Sequence, residues 1–293
     1  MAEATDYKSS YKKEYLFTDK DFFYLSKLAG ELAGISLSSG KRELIYGRLV
    51  KRLRALGLSD FKAYCELLKK AEEEGGDPEE RTHFINSITT NVTSFFRENH
   101  HFEFMSDALL PELIRKKGAE SQPRLRIWSA GCSSGKEPYS IAMVLKECIP
   151  DIERWDVKIL ATDLDSNILE VAKSGVYPKE HIKEISVDRQ KRWFKSGRGN
   201  NEKSIKVVDE IKDIVTYRKL NLTEQWPMKG SFDIVFCRNV TIYFDRETRV
   251  DLLERFADLL EDDGCLFVGH SESLFGLTQR FNTVGRTIHR KIK

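Results

Sequence analysis

Two carboxylates and a glycine loop are the groups in this chain best suited to ligand chemistry. Residues 126–142 read R-I-W-S-A-G-C-S-S-G-K-E-P-Y-S-I-A. The apolar run Leu125, Ile127, Trp128 and Ala130 suits a buried strand, Gly131 and Gly135 break it, and a helical pattern resumes after Pro138. In doubly wound α/β folds such a strand, loop and helix start lies at the carboxyl end of the first parallel strand, where glycines let the backbone approach a nucleotide-like ligand. The glycines do not spell G-x-G-x-x-G, and Glu137 stands where a phosphate-binding loop carries Ser or Thr. Glu137 would repel a pyrophosphate; it suits a ligand with a positive end, such as an amino acid's ammonium. The glycines alone are equally accounted for by a tight turn. The next unit separates the two readings. Residues 157–163, V-K-I-L-A-T-D, form a second apolar strand ending in Asp163, where such a fold places an acid for ribose hydroxyls. A nucleoside with an amino-acid tail answers both carboxylates, and S-adenosylmethionine has that shape.

The elements that must position these groups fit a chain of 293 residues, enough for one large domain or two modest ones. With 40% hydrophobic and 32% charged residues the composition is that of a globular protein. No run of about 18 apolar residues and no charged-then-apolar leader is present, so neither a membrane span nor a secretion signal is expected. Five dispersed cysteines without a C-x-x-C pair indicate a reducing cytoplasm and no structural metal. A net charge of +2 does not indicate a general nucleic-acid binder, so electrostatic recognition must come from a local patch.

In chain order, residues 1–16 are polar and lysine-rich and read as a flexible tail. Thr18 and Asp21 offer a helix start of capping-box type. Residues 17–80 read as a small helical domain, interrupted at Gly34, Gly40 and Gly57, with Ser59 expected to cap a helix and a break expected over residues 72–78. Within it Lys41, Arg42, Arg48, Lys51, Arg52 and Arg54 accompany an apolar face of Ile45, Leu49, Leu53 and Leu56. That basic set is either a solvated face or a docking face for an acidic partner. Residues 81–101 link the helical domain to the rest, mixing Asn91, Thr93 and Arg97 with Val92, Phe95 and Phe96. Packed over the glycine loop, Arg97 could meet a ligand carboxylate with paired donors; otherwise it is a surface arginine on an amphipathic linker. Adjacent His100 and His101 lack helical i,i+4 spacing and are not read as metal ligands.

Residues 102–293 read as the α/β domain, with an inserted subdomain at about 176–213. In the insert a helix over 187–194, a glycine-rich turn at 197–201 and a strand at 204–208 leave a sheet edge for pairing. It is either a partner site or an inert insertion. Core strands resume at 214–222, ending near Asn221, and at 232–239, F-D-I-V-F-C-R-N, with Tyr243 just beyond. A helix over 246–260 ends at Asp262-Asp263-Gly264, a fifth strand covers 265–269, and 281–292 forms closing antiparallel strands.

Assembled, these segments resemble the chemotaxis receptor methyltransferase family of CheR type. The likeness runs from about Phe17 onward. It rests on I-N-S-I-T-T-N-V-T-S-F-F-R-E-N-H-H-F at 85–102, S-A-G-C-S-S-G-K-E-P-Y-S-I-A, F-C-R-N-V-T-I-Y-F-D at 236–245 and G-H-S-E-S-L at 269–274. The resemblance implies an all-α amino-terminal domain before a Rossmann-like, S-adenosylmethionine-dependent methyltransferase domain carrying a small inserted antiparallel β-subdomain. It implies methyl transfer to glutamates on the cytoplasmic helices of chemoreceptors, yielding S-adenosylhomocysteine; a cytoplasmic monomer is expected, with the sequence leaving oligomeric state open. Asn91, Thr93, Arg97, Glu137, Asp163, Asn221, Leu222, Arg238 and Asn239 match positions around the cofactor, and Tyr243 matches the tyrosine at the reacting centre. The basic stretch 41–54 matches the receptor-docking face. In some members the inserted subdomain binds a receptor carboxyl-terminal peptide as an added strand. Two positions depart from the usual pattern: Lys136, where an acid is commoner, and Thr241, where methionine is.

A glutamate side chain, with a solution pKa of about 4.3, is already ionised at neutral pH, so its esterification needs no general base. The site must align groups and exclude water, and Tyr243 and Arg97 are expected to orient rather than move protons. Two rivals stand beside this reading. A nucleic-acid methyltransferase would grip with the basic helix, but Cys237-Arg238-Asn239-Val240 occupies the place of the Asp/Asn-Pro-Pro-Tyr/Phe stretch, and Cys237 reads as a buried structural thiol. A non-catalytic module would use the cofactor as a signal, against which the complete set of site residues argues.

Overall fold

The computed structural model describes residues 13–71 and 78–292, so residues 1–12 of the expected tail and most of the expected break at 72–78 lie outside the described residues. The chain forms two compact units, one from residues up to Leu32 and Leu37–Ile88, the other from Ala33–Ser36 and Thr89–Lys293. The division falls inside the stretch read as a linker.

The first unit is helical: α1 (Asp19–Ala33), α2 (Arg42–Leu56), α3 (Phe61–Lys70) and α4 (Pro78–Ile88). Thr18 and Asp21 form the reciprocal cap, with Thr18 N donating to Asp21 Oδ2 at 2.8 Å and Asp21 N to Thr18 Oγ1 at 3.2 Å. Helix α3 is capped by Asp60, not Ser59: the Asp60 carboxylate accepts from Ala63 N at 2.8 Å, a reach that the Ser59 position, one residue earlier, does not provide. Ile45, Leu49, Val50 and Leu53 of α2 are buried. The last residues assigned to the tail are tied to α2: Lys13 pairs with Glu43, Glu14 with Arg54, and Tyr15 N donates to Tyr46 Oη.

The second unit opens with α5 (His100–Phe104), which passes through a π-helical turn at Met105–Leu109 into α6 (Leu110–Lys117). It continues through β1 (Arg124–Ala130), α7 (Lys136–Cys148), β2 (Asp156–Asp163), α8 (Ser166–Ser174), β3 (Val176–Pro178), α9 (Val187–Trp193), β4 (Phe194–Ser196), β5 (Ser204–Val207), α10 (Asp209–Lys212) and β6 (Val215–Lys219). It ends with β7 (Phe232–Cys237), α11 (Arg246–Leu259), β8 (Leu260–Val268), β9 (Phe281–Gly285) and β10 (Ile288–Lys291).

Seven strands form one sheet in the order β6-β2-β1-β7-β8-β10-β9. Pairs from β6 to β8 are parallel, and β10 runs antiparallel to both neighbours. From β1 the chain builds outward through β2 to β6, then returns to β7 on the other side. The sequence order thus reverses between β1 and β7, and the crevice at the carboxyl ends of those strands is the ligand position in such sheets. Both faces of β7 are buried, as parallel strands require. Ile127, Ile159, Ile234 and Phe236 pack with α7 on one face; Trp128, Val235 and Leu266 pack with Leu252 and Phe256 of α11 on the other. Strand β8 starts five residues before the expected fifth strand, because Leu260 already pairs with Phe232 ahead of the Asp262-Asp263-Gly264 turn. The insert forms a separate antiparallel sheet, β3-β5-β4.

Candidate active site

The loop after β1 is shaped by what surrounds its glycines. Gly131 and Gly135 have φ of +82° and +83°. A Cβ at Gly131 would collide with Val240; one at Gly135 would stand 2.7 Å from Tyr217 Oη and 2.8 Å from Ala172 Cβ. Glycine is required there by packing as well as by backbone sign. Gly131 N and Cys132 N both donate to Thr162 O, each at 2.8 Å, tying the loop to the end of β2.

Asp163 closes β2. Its Oδ2 accepts from Ser133 N at 2.7 Å and its Oδ1 from Asp165 N at 3.0 Å, so the carboxylate is fixed beside the loop. Burial pushes its pKa up, against these two backbone donors. Asp165 caps α8 and also accepts from Asn91 Nδ2 at 2.7 Å. Ser133 Oγ donates to Asn91 O at 3.1 Å. Asn91 is thereby held at the loop from two directions.

Glu137, in the first turn of α7, takes Ser129 Oγ at 2.8 Å on Oε1 and Arg238 Nη1 at 3.1 Å on Oε2. Arg238 follows β7, is buried, and also donates to Arg97 O while Glu98 Oε2 lies 3.6 Å away. Burial raises the Glu137 pKa, opposed by the guanidinium and the Ser129 hydroxyl. Burial works the same way on Glu98, but Arg238 and His270 outweigh it and hold that carboxyl below the usual range. One buried guanidinium thus joins β7, α7 and the 91–98 segment.

That segment is held by unlike anchors. Phe95 is buried edge-on against Tyr177 and Phe194 of the small sheet, with centroids 5.2 Å away in both cases. Phe96 N donates to Ser140 Oγ of α7 at 3.0 Å. Phe96 and Glu98 have φ of 52° and 56°, a left-handed geometry that is costly for these side chains and concentrates at functional sites. Lys136 is buried, donates to Thr93 O at 3.1 Å and lies over the Tyr177 ring; burial pushes its pKa down. Arg97 Nη1 donates to Val92 O at 2.9 Å and the side chain is half-buried.

Asn221 and Leu222 follow β6 and are buried; Asn221 Oδ1 accepts from Thr223 N and Oγ1 at 3.1 and 2.8 Å. Asn239 has φ of 59°, and Tyr243 ends a short 3₁₀ turn, its carbonyl accepting from Ser36 N at 2.8 Å. Cys237 is fully buried in β7 and burial pushes its thiol well above the normal range, against a thiolate nucleophile.

Of the sequence-predicted residues, the structure joins Asn91 to Asp163 through Ser133 and Asp165, joins Glu137 to Arg97 O through Arg238, and sets Asn221, Leu222, Asn239 and Tyr243 after the carboxyl ends of β6 and β7. Sequence reasoning missed Asp165, Glu98 and Glu272. Asp165 was findable as a helix cap ahead of S-N-I-L; the other two depend on long-range partners. Glu98, His100 and His101 offer three ligand atoms within 4.8 Å of one another. The positive charge facing Glu98 is Arg238, and a metal ion there would face that guanidinium at close range.

The basic set lies in the helical unit. Arg42 bonds to Asp19 and Phe17 O, Arg48 to Ile88 O, Arg52 to Glu80 and Arg54 to Glu14, while Lys51 is exposed and Lys41 half-buried.

The reversal of strand order at β1 and β7, the glycine loop and two carboxylates at its flanks define an S-adenosylmethionine-dependent methyltransferase domain. Residues 91–290 match the family model described as CheR methyltransferase, SAM binding domain, and residues 20–89 match that described as CheR methyltransferase, all-alpha domain. The chain is 45% identical over 259 residues to a probable chemotaxis protein methyltransferase of Rhizobium etli, covering 88% of this chain and 94% of that one. It is 42% identical over 274 residues to the chemotaxis protein methyltransferase of Escherichia coli, covering 93% and 91%. With chemotaxis protein methyltransferase 2 of Pseudomonas aeruginosa it shares 40% over 278 residues, covering 94% and 95%. The chain belongs to the CheR family of chemotaxis methyltransferases. Its cofactor is S-adenosylmethionine. Among the described residues no helix is long and apolar enough to cross a membrane.

Proposed function

We propose that the chain methylates glutamate side chains on the cytoplasmic helices of chemoreceptors, giving glutamyl methyl esters. The observation that carries this reading is the Glu137–Arg238 pair beside the Gly131–Gly135 loop at the strand-order reversal, with Asp163 fixed opposite. The donor set fits the cofactor. Asp163 accepts from Ser133 N on Oδ2 and Asp165 N on Oδ1, and two carboxylate oxygens retain lone pairs for hydroxyls. Glu137 has acceptor capacity for an ammonium, Arg97 offers a guanidinium fork to a carboxylate, and Asn221 and Leu222 provide a polar and an apolar wall for a base. Thr93, Asn91, Arg238 and Asn239 hold these groups in place.

When bound, S-adenosylmethionine supplies an electrophilic methyl group on a sulfonium centre. The acceptor carboxylate is ionised at neutral pH, so no residue has to remove a proton. The task left to the protein is alignment and exclusion of water. Tyr243 and Arg97 orient the reacting groups, and Tyr243→Phe is expected to lower the rate without adding a pKa to the rate profile. The outer strands β3 and β4 of the small sheet offer an edge for a receptor carboxyl-terminal peptide.

The test is transfer of labelled methyl from S-adenosylmethionine to membranes containing the cognate chemoreceptors, then alkali. Volatile, base-labile label on receptor protein is expected. Cofactor binding by calorimetry without transfer would overturn the assignment of the acceptor.

A further inference from the structure

The G-H-S-E-S-L stretch after β8 carries a buried carboxylate that accepts hydrogen bonds from five donors. Glu272 is 5% exposed. Its Oε1 accepts from Val240 N at 2.9 Å, Thr241 Oγ1 at 2.8 Å and Ile242 N at 3.3 Å. Its Oε2 accepts from Asn239 N at 2.7 Å and Gly269 N at 2.6 Å. Its own N–H donates to Gly269 O at 2.8 Å. Among the described residues no cation is paired with it. The charge is held by five donors, four of them backbone N–H groups, as an anion is held in a nest of amides.

The donors are the turn that presents Asn239 and Tyr243. That turn leaves β7 with Asn239 in the left-handed region, and the N–H groups of Asn239, Val240 and Ile242 find their acceptor in Glu272 rather than in a strand or helix. Two carboxylate oxygens with several lone pairs can take all of them; a glutamine would turn an NH2 toward N–H donors, and an aspartate is one methylene short. Packing supports the same junction. A Cβ at Gly269 would stand 2.9 Å from Asn239 N and from Glu272 Oε2, and Val240 is the side chain that blocks a Cβ at Gly131. The end of β8, the turn after β7 and the glycine loop after β1 are therefore stacked on one another, with Glu272 as the common acceptor of the first two.

We infer that Glu272 is a positioning residue for methyl transfer: it pre-organises the Asn239–Tyr243 turn from behind, without touching cofactor or acceptor. The inference rests on the proposed roles of Asn239 and Tyr243. A residue that only stabilised the fold would act equally whatever stood at 243; one that acts through the turn would not.

The experiment compares Glu272→Gln and Thr241→Val, alone and in a Tyr243→Phe background. It reads kcat and KM for methyl transfer, S-adenosylhomocysteine affinity by calorimetry, and amide hydrogen exchange. Glu272→Gln is expected to lower kcat by roughly 100-fold, the scale of an ångström misplacement, with a smaller loss in affinity. Thr241→Val removes one of five bonds at nearly constant volume and is the milder second variant, in which kcat falls several-fold in the same direction. In the Tyr243→Phe background either substitution adds little. Exchange at residues 239–242 and 269 is faster in both variants while that of β1 is unchanged. Equal fold losses in both backgrounds, or unchanged exchange at 239–242, would overturn the proposal. Absence of transfer by the unsubstituted protein would sink the acceptor assignment instead, and the exchange measurement would still decide whether Glu272 holds the turn.

Discussion

Arg238 is 6% exposed, and its guanidinium is shared between two carboxylates, Glu137 and Glu98, and the Arg97 carbonyl. Such a pair adds little over an apolar replacement of both partners, but removal of one partner leaves buried charge uncompensated. Arg238→Met is therefore expected to cost about 3–5 kcal/mol of unfolding free energy in urea melts. Glu137→Gln, which leaves the guanidinium with Glu98, should cost far less stability and be read mainly as weaker cofactor binding. A pH dependence belongs to this scale as well. His101 is fully buried, with Nε2 on Thr287 Oγ1 at 2.9 Å and its ring edge-on to Phe267, and it faces Glu98, His100 and Arg238. Burial, with Arg238 next in weight, pushes its pKa down to about 3 from 6.5. Below pH 6.5 the unfolded chain takes up a proton here that the folded chain refuses until about pH 3. The stability this neutral imidazole provides is complete above pH 6.5 and is lost as pH falls through that window, at up to about 1.4 kcal/mol per pH unit. His101→Phe should flatten the acid slope of the urea midpoint between pH 4 and about 6; an unchanged slope would assign it to other groups.

At the scale of elements, the loop after β1 and the turn after β7 are one packed object. Gly131→Ala forces a φ of +82° on an L side chain and drives its Cβ into Val240, so the displaced element is the Val240 turn rather than the loop. The expected result is a stability loss of roughly 1–3 kcal/mol with a disproportionate fall in kcat, measured by urea melts and methyl transfer on the same preparation. Loss in kcat no greater than the folded fraction explains would separate the two elements. The loop and the helix that follows it were legible in sequence because they are local: an apolar run, two glycines and a helical period lie within twenty residues. The reciprocal Thr18–Asp21 cap is legible for the same reason. What was not legible depends on partners far along the chain. Phe95 looks like one more apolar linker residue until Tyr177 and Phe194 of the insert close around it. Glu272 looks like a surface acid in G-H-S-E-S-L until the turn 30 residues upstream points its amides at it. The early start of β8 at Leu260 is set by Phe232 across the sheet, not by any period in its own sequence.

Across the whole molecule, 48 basic and 46 acidic residues nearly cancel, so long-range attraction to an acidic partner has to come from how charge is distributed. Helix α2 concentrates cations, but most of them already have work in the helical unit. Arg52 places Nε 2.9 and 3.0 Å from the two oxygens of Glu80, which is 2% exposed and also accepts from Tyr64 Oη at 2.9 Å. Arg52→Ala would strand that carboxylate, and its expected effect is unfolding of the helical unit rather than a change in docking. Lys51 is exposed, and its charge can be reversed without opening the core. If α2 docks on an acidic receptor surface, Lys51→Glu should raise the KM for receptor several-fold at low ionic strength, with kcat and S-adenosylhomocysteine affinity unchanged. The effect should shrink toward 1 M salt, where the screening length falls to about 3 Å. A KM that does not move with this substitution at low salt would leave α2 as a solvated basic helix, and would shift the recognition of the receptor to surfaces of the methyltransferase domain itself.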